Sequence, residues 1–243
     1  MVLPYHILFK MKIGLLGYGK MGKVIERIAT DRGHEIVAKI NRNDDKNELL
    51  KADVVIEFSA PESVIKNLKY CINNELSTVC GTTGWNDSIK EIYSLLEAKN
   101  GALVHASNFS LGVNIFFELN KKLAAMMNQF DEYNVHLKEI HHTEKKDAPS
   151  GTAITVAEGI MENTTYSKWH LGDSNKQESL GIEALREHDV KGTHIVTYNS
   201  PVDQIEITHT AHSRDGFALG AVIAAEWIEG KKGVYGMKEV LGL

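Results

Sequence analysis

Between Glu139 and Thr152 the chain sets His141, His142, Lys145 and Lys146 just ahead of Ser150, Gly151 and Thr152. Histidine titrates near neutral pH and can pass a proton during a reaction. Lysine supplies a compact positive charge. A Ser-Gly-Thr sequence that opens a helix offers free N–H groups and the positive end of the helix dipole to an anion. Proton transfer beside a bound carboxylate is the chemistry that these types and spacings allow. Metal binding fits poorly. Adjacent His141 and His142 on an extended chain point to opposite faces, and no third ligand follows at zinc spacing. A Ser–His hydrolase would need a nucleophile elbow, which is missing.

A second cluster lies near the start. Gly17-Tyr18-Gly19-Lys20-Met21-Gly22 fits G-x-G-x-x-G, after an apolar run and at the head of a helical pattern. Gly17 permits the tight turn, Gly19 lets backbone approach a pyrophosphate, and Gly22 lets helix pack on strand. About 20 residues further on, where an acidic residue would hold the ribose of NAD, stand Asn41 and Arg42. Asn41 can bond a hydroxyl, and Arg42 can meet a 2′-phosphate through its planar fork. NADPH, or both NADPH and NADH, is the expected cofactor. The plain alternative for Arg42 is a solvated surface arginine. Gly81-Thr82-Thr83 and Ala106-Ser107-Asn108-Phe109 follow two later strands, at the carboxyl ends where open α/β sheets bind ligands.

The elements that position these groups follow from periodicity. Strands are expected at Lys12 to Leu16, Glu35 to Ile40, Asp53 to Phe58, Thr78 to Cys80 and Ala102 to Ala106. Helices are expected at Lys20 to Arg32, Pro61 to Asn73 and Asp87 to Lys99. This alternation calls for a Rossmann-like parallel sheet with helices on both faces. After Asn108 the rhythm changes. A long helix is expected at Val113 to Met127, a strand at Tyr133 to Ile140 and a helix at Thr152 to Met161. Thr165 to Gly181 reads as irregular. Strands at Thr193 to Tyr198 and Gln204 to Thr210 precede a last helix at Phe217 to Glu229. The fold class is therefore α/β, with a second, more antiparallel α+β domain. Residues 11–110 with 214–243 make the dinucleotide domain, 111–213 the second domain, and 1–10 an N-terminal extension.

Composition narrows the partners. The 243 residues are 43% hydrophobic and 24% charged, ordinary for a globular chain, with net charge −5. No broad basic field exists for nucleic acid or an anionic membrane. No apolar run approaches the ~20 residues of a membrane span. Two cysteines make no disulfide framework, which points to a reducing, cytoplasmic setting.

From Met11 onward the chain resembles the dihydrodipicolinate reductase family. The shared segments include E-x-H-H-x-x-K-x-D-A-P-S-G-T at Glu139 to Thr152, the glycine loop, and Phe58 to Pro61. They also include G-T-T-G at Gly81 to Gly84, N-F-S-x-G-V-N from Asn108, and H-x-A-x-S-R-x-x-F-A-x-G from His209. The resemblance implies reduction of a small cyclic dicarboxylate with NADPH or NADH. It implies His141 and Lys145 as the acid–base pair, one of them delivering the proton. It implies His142, Lys146, Ser150, Gly151 and Thr152 as holders of the two carboxylates. It also implies a homotetramer built through the second domain's sheet, and domain closure on ligand. Two departures stand out. Arg186 is followed by Glu187 and His188 where the family has x-Gly, and Asn41 replaces a common acidic residue. The rival readings are another two-domain dehydrogenase and a redox sensor that only binds NAD(H). A sensor needs no proton donor beside a carboxylate pocket.

Overall fold

A computed structural model of the chain describes residues 10–176 and 178–243. The extension expected over residues 1–10 lies, except for Lys10, outside the described residues. The chain divides into two compact units, one running to Leu111 and resuming at Arg214–Leu243, the other Gly112–Ser213.

In the first unit the elements are β1 (Lys12–Leu16), α1 (Lys20–Asp31), β2 (Glu35–Ile40), β3 (Val54–Glu57), α2 (Pro61–Asn73), β4 (Ser77–Cys80), α3 (Ile89–Ala98) and β5 (Ala102–His105). The second unit contributes α4 (Leu111–Met127), β6 (Asn134–His141), α5 (Gly151–Met161), β7 (Lys168–Leu171), β8 (Ser179–Arg186), β9 (Thr193–Asn199) and β10 (Gln204–Thr210). The chain then returns to the first unit with α6 (Asp215–Ile228), β11 (Gly233–Tyr235) and α7 (Met237–Leu241).

The first sheet runs β11-β5-β4-β3-β1-β2, with every pairing parallel. Its inner strands β1, β3, β4 and β5 are nearly continuous buried runs because both faces are covered, whereas edge strand β2 leaves Glu35 and Lys39 exposed. Ile25, Ile28 and Ala29 of α1 share one core with Ala218, Ala221 and Val222 of α6 and with Ile13, Val54 and Val79 of the sheet. Val64 and Leu68 of α2 and Ile92 and Leu96 of α3 bury Cys80 and Leu103. Gly33 at φ 93 ends α1, a left-handed position that glycine takes without strain.

The second sheet runs β10-β9-β6-β8-β7. β6 pairs β9 and β9 pairs β10 antiparallel, while β6–β8 and β7–β8 are parallel. The second sheet is thus mixed and, as expected, more antiparallel than the first. β7 and β8 lie partly in the stretch expected to be irregular. The polar run from Asp173 to Glu178 separates them in sequence, and α5 with β7 forms the crossover between parallel β6 and β8. β6 alternates strictly, burying Val135, Leu137, Glu139 and His141 on one face. That face starts apolar, packed with Val156, Ala157 and Ile160 of α5, and turns polar where the strand ends. The core-facing alternation that fixes β6 therefore also aims Glu139 and His141 inward.

Candidate active site

Glu139 is fully buried in the second unit. A buried carboxylate must be paired or hydrogen-bonded, and four groups surround this one. Ser150 N–H donates to both its oxygens at 3.1 Å. Arg186 Nη2 donates to Oε1 at 3.3 Å. His141 Nδ1 lies 3.2 Å from Oε2, off the line of a straight hydrogen bond. His194 Nε2 is 3.8 Å from the same oxygen. Burial alone would push the Glu139 carboxyl up, but its contacts with His141 and Ser150 hold it at about 2. Burial first, then the charge of His141, push His194 down to about 3. The two imidazoles meet edge to face with centroids 5.2 Å apart.

Around this carboxylate the structure gathers much of the expected set. Ser150 caps α5: its hydroxyl accepts from Ala153 N–H at 3.1 Å and lies 3.2 Å from His194 Nε2. Gly151 and Thr152 form the first turn behind it, where helix N–H groups lack intrahelical acceptors. Lys145 Nζ donates to both oxygens of Asp147 at 2.8–2.9 Å, and this bond chiefly holds the Asp147 carboxyl low. His142 is half-buried and Lys146 is exposed.

The sequence did not single out three residues of this network. Arg186 sits opposite His141 in the β6–β8 register. Besides Glu139 it bonds the carbonyls of Lys145 at 3.3 Å and Asp147 at 2.6 Å, so it ties down the loop. Next to it, the backbone N–H of Glu187 donates to the His141 carbonyl at 2.8 Å. The second is Gly192, at φ 154. A Cβ there would come within 3.1 Å of His141 Nε2, so its glycine leaves that ring atom uncovered. The third is His194. With Glu139 and His141 it places three possible metal-ligand atoms within 4.8 Å of one another. The Arg186 cation on the shared carboxylate favours a hydrogen-bonded network there instead.

In the first unit, Gly17 takes φ 93, and a Cβ on it would fall 2.1 Å from the Phe58 carbonyl. A Cβ on Gly22 would fall 2.5 Å from the Gly17 carbonyl, whereas one on Gly19 meets nothing. Gly19 thus borders open space, as close approach of a pyrophosphate requires. Asn41 Oδ1 accepts from Tyr18 N–H at 3.2 Å and pins the loop. Tyr18 itself bonds Glu26, under Lys39, while Met21 packs on the core and Lys20 is exposed. Gly17, Gly19, Asn41 and Arg42 line one recess of about 520 Å³ with Phe58 and Ser59. These residues fit a bound dinucleotide. Arg42 is exposed, 3.4 Å from Glu62.

The other loops sit outside that recess. A Cβ on Gly81 would strike the Phe58 ring, which also packs against buried Phe109, tilted by 58° with centroids 5.5 Å apart. Phe58 therefore joins the three loops. Thr82 is buried, accepting from Ser59 N–H at 2.9 Å, while Thr83 and Ser107 are exposed. Ala106 is half-buried, and Asn108 Oδ1 accepts from Ser110 N–H at 2.9 Å.

Both units have counterparts among known proteins. Residues 11–109 match the family model for the N-terminus of dihydrodipicolinate reductase, and residues 112–241 match that for its C-terminus. The chain is 49% identical over 234 residues to a 4-hydroxy-tetrahydrodipicolinate reductase of Christiangramia forsetii, covering 95% of this chain and 98% of that one. It is 38% identical over 201 residues to the reductase of Methanocaldococcus jannaschii, covering 79% and 72%. A dipicolinate-bound dihydrodipicolinate reductase from a Paenisporosarcina species shares the fold at 20% identity. Its TM-score is 0.75, with 95% of this chain and 99% of that one covered. With both units matched and a half-identical relative along nearly its whole length, the chain belongs to the dihydrodipicolinate reductase family.

Proposed function

We propose that the chain reduces 4-hydroxy-tetrahydrodipicolinate to tetrahydrodipicolinate in lysine and diaminopimelate biosynthesis, using NADPH or NADH. The observation that carries this reading is the buried Glu139 against His141, beside an Arg186-anchored lysine loop and a helix N-terminus. The nicotinamide supplies the hydride. The glycine loop, Asn41, Arg42 and the loops after β4 and β5 bind and orient the dinucleotide. The first turn of α5, with His142 and Lys146, holds the substrate carboxylates by N–H donation and charge. His141 keeps Nδ1 against Glu139, so its mobile proton leaves from Nε2, the atom that Gly192 leaves uncovered. That proton, or one from Lys145, quenches the negative charge that develops on the ring. Purified protein should consume NADPH when a dihydrodipicolinate synthase mixture is added. Absence of consumption with both cofactors would overturn the reading.

Thr152→Val should raise the Michaelis constant several-fold with little change in turnover, because one donor to a carboxylate is lost while the helix N-terminus remains. Inhibition by a planar pyridine dicarboxylate should weaken in parallel. An unchanged inhibition constant would place the carboxylate elsewhere.

We also propose a homotetramer built through the second unit's sheet. The exposed Ile205 on edge strand β10 and Val202 beside it support this, and light scattering would check it.

A further inference from the structure

The geometry points to Lys46 and Lys66 as the pair that receives the ribose 2′-phosphate of NADPH. This inference rests on the dinucleotide reading of the recess beside the glycine loop. Both lysines line that recess with Gly17, Gly19, Asn41 and Arg42. They also line an adjoining hollow of about 580 Å³, again with Arg42. The end of β2 is where a dinucleotide sheet meets the ribose, and Lys46 lies in the loop that leaves it.

What separates the three cations is their partners. The Arg42 guanidinium is already 3.4 Å from Glu62, a carboxylate that would have to be displaced and would repel a phosphate. Neither Lys46 nor Lys66 has a carboxylate partner among the described residues. The nearby acids are occupied elsewhere. Asp44 accepts from Asn41 N–H at 2.8 Å, and Asp45 accepts from the Asn47 backbone and side chain at 3.0 Å. Glu57, buried behind the wall, is held by Asn67 and Ser59.

Lys46 is also positioned. Its Nζ lies 5.6 Å from the centroid of the Tyr70 ring, and the Tyr70 hydroxyl donates to its carbonyl at 3.0 Å. Burial first, and the charge of Lys66 second, hold its ammonium below the usual lysine value. Two like charges facing one recess destabilise each other until an anion enters between them. A phosphomonoester dianion has the charge to satisfy both, and lysine binds phosphate as a point charge. Asn41 complements the pair: Tyr18 takes its carbonyl oxygen, which leaves the amide as a donor for the ribose.

The test is calorimetric binding to the full chain of two probes, adenosine 2′,5′-bisphosphate and adenosine 5′-monophosphate. Wild type should prefer the bisphosphate. Lys46→Met and Lys66→Met should each weaken it about tenfold, and together about a hundredfold, leaving the monophosphate unchanged. Unchanged monophosphate affinity doubles as the control for folding. An equal loss on both probes overturns the proposal, as does no loss on either. A loss confined to Arg42→Ala overturns it in favour of the arginine. If wild type binds both probes equally, the lysine pair fails while the dinucleotide reading stands. If it binds neither, both fail.

Discussion

Replacing His141 by alanine is expected to lower turnover by a factor on the order of 100 or more. The loss has two parts. The proton on Nε2 disappears, and Glu139 keeps only Ser150 and Arg186 as close donors. Lys145→Ala should cost a similar factor, since it removes an ammonium and leaves Asp147 without its closest partner. NADPH affinity should barely change, because the dinucleotide is assigned to the other unit. The two variants separate the roles. If His141 is the donor, its variant should lose the pH dependence of turnover that reports an acid group, and the Lys145 variant should keep it. Near-full turnover in either variant would remove that residue from the chemistry.

Acid should destabilise the second unit through His194 and Glu139. An unfolded histidine takes a proton near pH 6.5, whereas His194 in the fold resists until about 3. As pH falls between those values the unfolded chain binds a proton that the folded chain refuses, so stability falls by about 1.4 kcal/mol per pH unit. Glu139 acts in the same direction. Its folded carboxyl stays ionised to about 2, while the unfolded one protonates near 4.3, so its contribution is present above that value and lost below it. The two effects reach several kcal/mol by pH 3, comparable to the stability of a whole domain. His105 and His209, lowered by burial, add to the upper part of the slope. Wild-type melting temperature should therefore drop steadily below pH 6. His194→Gln should flatten the range from pH 6 to 4 and leave the lower limb. Parallel curves for the two proteins would show that His194 does not set the slope.

The glycine loop was legible because its chemistry is local. Gly17, Gly19 and Gly22 act within one turn, and their spacing encodes that turn. Five strands of the parallel sheet were legible because most are short apolar runs between helical patterns, whereas β11, only three residues long, carries no such signal. The Glu139 network was only half legible. Alternation puts Glu139 and His141 on one face, but Arg186 lies 47 residues away and arrives through strand register. No local pattern encodes that register. β8 gives no alternating signal, because its first four residues, Ser179 to Ile182, are all buried. Phe58 stands in the sequence as one residue of a shared motif, and its place among three loops depends on sheet order. The cation pair near β2 was missed for a similar reason: Lys66 is on α2 and Lys46 in a loop, and they meet only across the recess.

The first unit's core is also divided in time. Ala218, Ala221, Ala224 and Ala225 of α6 belong to the core that holds β1, β3 and β4, yet the 102 residues of Gly112–Ser213 intervene. At ordinary translation rates of about 5–20 residues per second, the ribosome needs roughly 5–20 s to make that stretch. For that interval β1 to β5 have been synthesised without the helix that completes their core, while the intervening unit is still emerging. A nascent chain stalled near Ser213 would thus carry an open apolar sheet, the kind of surface that chaperones bind.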